Sequence, residues 1–443
     1  MHDPPALPEL RPADAAATRQ LVELLGDDRV ELDERVRREA SLDHAWMSPV
    51  LTEDLPDVVA DVVVRPGDRD DVAAVLDLAH RFGIAVTARG KGTGNYGQAV
   101  PLAAGIVLDL TDLRTVHDVG DDAIHADAGA SFTRLEASAR ATGRQLRVFP
   151  STVGSTLGGF LSGGAGGTGS IAHGFLWDGG IVEELTVLPC VEAPSPVVLD
   201  AEAAAPHVHA YGTTGVLTAA RVAVEPAVEW TAVFAGFPTV TDAGEAAMRL
   251  ATGLRTTPRN LAIDDAKLAT VLAPAHPAIR PGTVGLRAIV AADEAGLAEQ
   301  VVIGAGGTVG AVDPDGVGAC VSLSYNHVTL RAKRLDPGIC HLQISGRAIV
   351  ERPDDVAAAL PCGMVHTGVD GRAGGLEFGG LHLSRYEGRE RLADGMVALR
   401  ELGVEVVSPH SWRLGGHGPM DATVAAAVVF DPAGLLNPGK LPR

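Results

Sequence analysis

Residues 86–101 read VTARGKGTGNYGQAVP and place Gly90, Gly92, Gly94 and Gly97 in one loop directly behind a short apolar run. A second glycine cluster, Gly154 to Gly174, follows one α/β unit later. Glycine has no Cβ, so two such stretches let backbone N–H groups come close to a diphosphate and a flat ring. The pairing points to a bound dinucleotide. Residues able to move a proton beside such a ligand lie further along. Tyr325 and His327 share the run from Ser324 to Leu330, His382 sits between Leu381 and Leu383, and His410 precedes Arg413. Histidine or tyrosine suits proton removal from a carbon-bound hydroxyl or amine, and a cation stabilises a developing anion.

The glycine spacing does not fit other nucleotide loops. Gly90, Gly92, Gly94 and Gly97 do not form a G-x-G-x-x-G opening a helix, since Asn95, Tyr96 and Pro101 prevent one. No G-K-[ST] P-loop is present, so a nicotinamide Rossmann enzyme and an ATPase are both disfavoured. Lys and Arg total 36 against 56 Asp and Glu, a formal charge of -20, which repels nucleic acid and anionic membranes. Cys190, Cys320, Cys340 and Cys362 are scattered without metal or disulfide spacing. No close His, Asp and Glu set points to a metal. The first residues lack a signal-peptide pattern and no apolar run is long enough to span a bilayer, so a soluble, cytoplasmic protein is expected.

These residues need a frame to hold them. At 443 residues the chain suits two domains, or one with a large insertion. Residues 1–55 read as a helical lead-in centred on Glu31 to Ala40. Val62–Val64, Ile84 to Val86, Gly105 to Leu110, Ile124 to Ala128, Glu184 to Leu188 and Leu217 to Val224 read as strands. Helices are expected over Asp70 to Phe82 and Ser131 to Thr142. This α/β alternation defines a first domain over 56–227. Residues 228–405 carry strands at His341 to Ile344 and Leu376 to Leu383 and a helix from Arg389 to Leu402, an α+β insertion. Residues 406–443 return to the first domain.

Four segments in this order resemble the vanillyl-alcohol oxidase-like (PCMH-type) FAD-binding family. They are Pro66 with its helix and the loop from Ala88 to Pro101, the cluster from Ser155 to Asp178, the run from Tyr211 to Thr218, and the closing stretch from Phe430 to Lys440. The resemblance implies a PCMH-type FAD-binding domain of two α/β subdomains with an inserted α+β cap, the substrate domain. It implies that Arg89, Gly90, Lys91, Gly92, Thr93 and Gly94 wrap the pyrophosphate, with Gln98 or Ala99 near the ring; Lys91 reads equally as a surface charge. Gly158, Gly159, Gly167, Ser170 and Gly174 would line the other side, and Gly215 and Val222 the ribityl chain or adenine. Asn437 belongs to the closing motif, and Lys440 either faces the flavin pyrimidine edge or caps the C-terminus. Many relatives attach FAD through a histidine in the first loop and some through a cysteine before the second cluster. Thr93 and Pro150 occupy those positions here. Non-covalent FAD is therefore expected, unless a histidine of the cap or C-terminal part provides an attachment.

The resemblance implies an oxidoreductase that takes a hydride from an alcohol- or amine-bearing carbon of a small molecule. An oxidase reducing O₂ to peroxide is the first reading. A dehydrogenase with another electron acceptor and a flavin-binding cyclase without net redox turnover are the alternatives. In a strand Tyr325 and His327 would face one side, which makes them the leading catalytic pair, ahead of His382, His410 and Arg413. The segment from Tyr325 also resembles an Asn-His-Thr-Thr-Leu run in a bacterial subgroup of FAD-linked oxidases. The His-Gly-Asp-Gly-Asn run of metal-assisted hydroxyacid dehydrogenases is missing. Oligomeric state is not legible.

Overall fold

A computed structural model describes residues 10–372, 374–415 and 418–442; the N-terminal residues read for a leader lie outside these. The first layer is a four-stranded sheet in the order Val30–Glu31, Val62–Val64, Ile106–Asp109, Val86–Arg89. The last three strands are parallel, as their crossover connections require. The helix Arg69–Phe82 covers this sheet. Asp68 caps it by accepting from the Asp71 N–H, and Gly83 ends it in the left-handed conformation at φ 69°. Val72, Val75, Leu76 and Ala79 form its buried face. Val30–Glu31 departs from the expected helix: these residues pair with Val63–Val64, and the helix begins only at Glu34, capped by Asp33.

The second sheet runs Val116–Val119, Ala123–Asp127, Val216–Pro226, Val182–Leu188, Val197–Asp200, with Arg144–Leu146 also paired to Val216–Pro226. Its ladders are antiparallel. The helices Phe132–Arg140 and Leu157–Gly163 pack on it around a core that includes Leu135, Phe160, Leu185 and Val187.

An eight-stranded antiparallel sheet takes up the middle of the chain. Its order is Thr308–Asp313, Trp230–Phe237, Val284–Ala291, Asn260–Asp264, Met364–Arg372, Gly375–Arg385, Ile339–Ser345, Glu405–Val407. Separate apolar clusters lie on its two faces, one containing Phe237, Leu250 and Leu286 and another Phe234, Ile289 and Leu383. After this sheet the chain returns to the first one. The Val86 N–H donates to the Leu435 carbonyl and the Asn437 N–H to the Val86 carbonyl, each at 2.8 Å. The closing residues thus extend the sheet that ends in the first glycine loop.

Candidate active site

The strand Val86–Arg89 delivers the chain into the loop from Gly90 to Pro101. Its shape is held from several sides. Arg89 folds back so that its guanidinium donates to the Leu42 carbonyl at 2.6 Å, and the His44 N–H donates to the Gly94 carbonyl at 2.7 Å. Gln98 accepts from the Tyr96 N–H at 3.0 Å. Asn437 donates from Nδ2 to the carbonyls of both Gln98 and Tyr211 at 2.8 Å, tying the loop to the segment around Gly212 and Gly215. The second glycine segment packs against the first, where a Cβ at Gly90 would meet Thr156 Oγ1, and against the end of the strand Ala123–Asp127, where a Cβ at Gly158 would lie 2.7 Å from the Ala128 Cβ.

Between these segments and the eight-stranded sheet lies a cavity of about 1030 Å³. That is at the top of the ~300–1,000 Å³ usual for small-molecule sites. Among the described residues, the backbone N–H groups of Gly90, Lys91, Gly92, Thr93, Gly94 and Asn95 donate to no protein acceptor, and all six residues line the cavity. Consecutive unpaired donors of this kind make an anion cradle. A diphosphate fits the donor set, and the flanking glycines leave it room.

The cavity gathers most of the sequence-derived candidates. Arg89 to Gly94, Gln98, Ala99, Gly158, Gly159 and Gly215 line it from the loops, and Tyr325, His327 and Arg413 from the other side. Tyr325 and His327 do not share a strand, as period two would have placed them. Tyr325 occupies a turn with φ 52°, and His327 opens the helix His327–Lys333. The Tyr325 hydroxyl donates to the Gly167 carbonyl at 2.6 Å, and burial pushes its ionisation well above the ordinary tyrosine value. It is a strut between the two halves of the molecule. Burial also lowers His327.

Other candidates hold the scaffold and do not line the cavity. His382 points to the opposite face from Leu381, donates from Nε2 to the Val356 carbonyl at 2.9 Å, and is pushed down to about 4 by burial. His410 pairs through Nδ1 with Ser48 Oγ at 2.8 Å and is likewise lowered to about 4 by burial. Ser170 Oγ accepts from the Gly167 N–H, Gly174 ends the helix Ser170–His173, and Val222 is a core residue paired with Ile124. Lys440 is fully buried and donates from Nζ to the Gly97 carbonyl at 2.5 Å, beneath the glycine loop. It does not lie at the cavity wall.

Sequence reading missed two groups. One is a seam in which Tyr96 Oη lies 2.9 Å from His341 Nε2, accepts from Asn326 Nδ2 at 3.1 Å, and His341 Nδ1 lies 3.0 Å from Thr329 Oγ1. Burial pushes His341 down to about 3 and raises Tyr96. The other is the strand Met364–Arg372, where His366, Gly368, Asp370 and Arg372 stand at period two and line the cavity together with Val369. Burial and the nearby Glu377 raise Asp370 to about 6 against the opposing pull of Arg372. His366 Nδ1 lies 2.8 Å from Asp264 Oδ1. The i, i+2, i+4, i+6 alternation of His366, Gly368, Asp370 and Arg372 was the available signal.

Residues 60–188 match the family model described as an FAD binding domain. This stretch is an FAD-binding domain. It includes the first glycine loop and most of the second sheet's leading strands. Over 114 residues the chain is 32% identical to a D-lactate dehydrogenase of Archaeoglobus fulgidus, covering 26% of each chain. Over 116 residues it is 28% identical to a glycolate oxidase subunit of Escherichia coli K12, covering 26% of this chain and 23% of the relative. The matched stretch thus spans about a quarter of these relatives' length. A solved alkyldihydroxyacetonephosphate synthase shares the fold across 97% of this chain and 86% of its own, with a TM-score of 0.74 at 15% identity. The architecture is that of PCMH-type FAD-binding proteins with a cap sheet over the cofactor domain, and FAD is the cofactor. No helix of the described residues is long and apolar enough to cross a membrane, and no cluster of three metal-ligating side chains occurs among them.

Proposed function

We propose that this protein is an FAD-dependent oxidoreductase of the vanillyl-alcohol oxidase-like type that oxidises an alcohol- or amine-bearing carbon of a small molecule held under the cap sheet. The observation that carries this reading is one cavity lined by six consecutive residues whose backbone N–H groups have no acceptor among the described residues, and also by ionisable cap residues. When bound, the flavin supplies a two-electron sink for a hydride. The chain's own residues do the rest. Gly90 to Asn95 hold the diphosphate, and Arg89 and Asn437 keep that loop in shape. Cap residues orient the substrate, exclude water and take its proton. Thr93 and Pro150 offer no attachment chemistry, which supports a non-covalent cofactor.

Transfer of electrons to O₂ is the first reading. The likeness to a D-lactate dehydrogenase favours a second, in which another acceptor is used and the substrate is a 2-hydroxy acid. Arg372 and Arg413 on the cavity wall provide cations for such a carboxylate. Anaerobic addition of D-lactate, glycolate and a panel of alcohols and amines to the purified holoprotein tests the proposal. Flavin bleaching followed by rapid reoxidation in air with peroxide identifies an oxidase, and slow reoxidation a dehydrogenase. A product of unchanged mass, with no bleaching, would replace both by a non-redox use of the flavin.

A further inference from the structure

We propose that His366 is the proton acceptor in substrate oxidation, with Asp264 and Arg287 as its positioning residues; this rests on the oxidoreductase reading above. His366 lines the cavity from a central strand of the cap sheet. Asp264 sits directly opposite it on the neighbouring strand Asn260–Asp264. Its Oδ1 meets His366 Nδ1 at 2.8 Å, and its Oδ2 accepts from Arg287 Nε at 2.9 Å and lies 2.8 Å from Nη2 in a buried ion pair. Burial alone would raise this carboxyl. Arg287 and His366 hold it below its ordinary value, so it stays ionised.

An ionised acceptor at Nδ1 fixes the proton there and leaves Nε2 as the basic nitrogen of a ring that borders the cavity. A carboxylate behind a histidine also compensates the charge that appears on proton uptake. In the step proposed, the O–H or N–H bond of the substrate breaks and its proton passes to Nε2. The electron pair stays on the substrate heteroatom, and the imidazolium faces Asp264. Arg287 also braces the facing turn, because its Nη2 donates to the Leu323 carbonyl at 2.8 Å and so anchors the segment that carries Tyr325 and His327.

Other histidines lack this arrangement. His382 faces away from the cavity, and His410 is spent on Ser48. The titratable and charged groups around it are Asp264 and Arg287 from neighbouring strands, Arg259 just before the first of these, Tyr325 and His327 from the facing turn, Asp370 and Arg372 along the same strand, and Glu377 on the strand paired with it. A buried ion pair is weak evidence for stability, since its desolvation cost offsets much of the attraction. Orientation of the imidazole gives this one a purpose.

The test uses the holoprotein of wild type, His366→Gln and Asp264→Asn, with D-lactate, glycolate or whichever probe of the panel bleaches the wild-type flavin. His366→Gln is expected to keep its flavin and to slow anaerobic reduction at saturating probe by about 10²-fold or more, the usual scale for a lost general base. Asp264→Asn is expected to move the acidic limb of the rate–pH profile to lower pH, which a purely structural role would leave in place. It also remains informative if His366→Gln fails to fold. Histidine-selective nitrogen-15 spectra should show, beside His209 held as Nδ1–H by the Gly164 carbonyl, a further imidazole fixed in that form in wild type, absent from His366→Gln and released from it in Asp264→Asn. Undiminished reduction in His366→Gln, or an unmoved pH profile and tautomer in Asp264→Asn, overturns the proposal alone. A wild-type flavin that no probe reduces overturns the oxidoreductase reading and the proposal together.

Discussion

Replacing Gly92 by alanine tests the glycine loop at its most constrained point. Gly92 has φ 62°, and a Cβ there would overlap the Arg89 guanidinium. A non-glycine residue in the left-handed region costs about 1–2 kcal/mol. Pushing the guanidinium off the Leu42 carbonyl loses a charge-assisted hydrogen bond of about 1.5–3 kcal/mol. A penalty of about 3 kcal/mol on the cofactor-binding conformation is roughly a 10²-fold rise in the dissociation constant for FAD. Titration of the apoprotein with FAD, followed by flavin fluorescence quenching, measures it. Gly154→Ala is the control, because a Cβ there has open space within 4 Å. Wild-type affinity in Gly92→Ala would refute the packing of this loop around the cofactor.

Acid precipitation should release all flavin to the supernatant, given Thr93 and Pro150; colour retained in the pellet would show a covalent bond from another residue. Tyr96→Phe removes the hydroxyl that meets His341 and Asn326 and should destabilise the protein by about 1–3 kcal/mol in urea unfolding, the cost of stranding a buried polar group. An unchanged midpoint would mean that the seam carries no energy. Burial lowers Lys440 from its ordinary 10.5 to about 7, with Asp43 opposing the shift. Between those values the unfolded chain holds a proton that the folded chain has shed, so this group's contribution to stability rises with pH and is lost as pH falls to 7. Unfolding free energies of wild type minus Lys440→Met should therefore grow from pH 7 to pH 9; a pH-independent difference contradicts the buried setting of Lys440.

Much of the scaffold could be read from local patterns. Val62–Val64 and Arg69–Phe82 announce themselves through a β-branched run, the Asp68 cap and the Gly83 stop. The loop from Gly90 to Pro101 was legible because glycine density behind a strand has few other uses. Long-range pairing was not legible: nothing near Val30 signals that it joins Val64, since a partner 34 residues away leaves no local periodicity. Tyr325 and His327 show how an i, i+2 spacing misleads when a left-handed turn residue precedes a helix. His382 and His366 illustrate the converse. Both stand on strands beside apolar residues, and only the register of Val365 opposite His382 decides that one faces the helix Pro353–Ala358 and the other the cavity. The dyad with Asp264 joins residues 102 apart, which no spacing rule would find.

The central claim is that FAD, cradled by Gly90 to Asn95, accepts electrons from a small molecule bound under the cap sheet. Its most direct measurement is the visible spectrum of the purified protein during anaerobic titration with D-lactate, glycolate and the alcohol and amine panel. The account predicts an oxidised flavin spectrum at the start and its bleaching by at least one of these compounds, with Gly92→Ala showing the same bleaching only at raised FAD concentration. A protein that binds no FAD, or a bound flavin that stays oxidised against the entire panel, would contradict it.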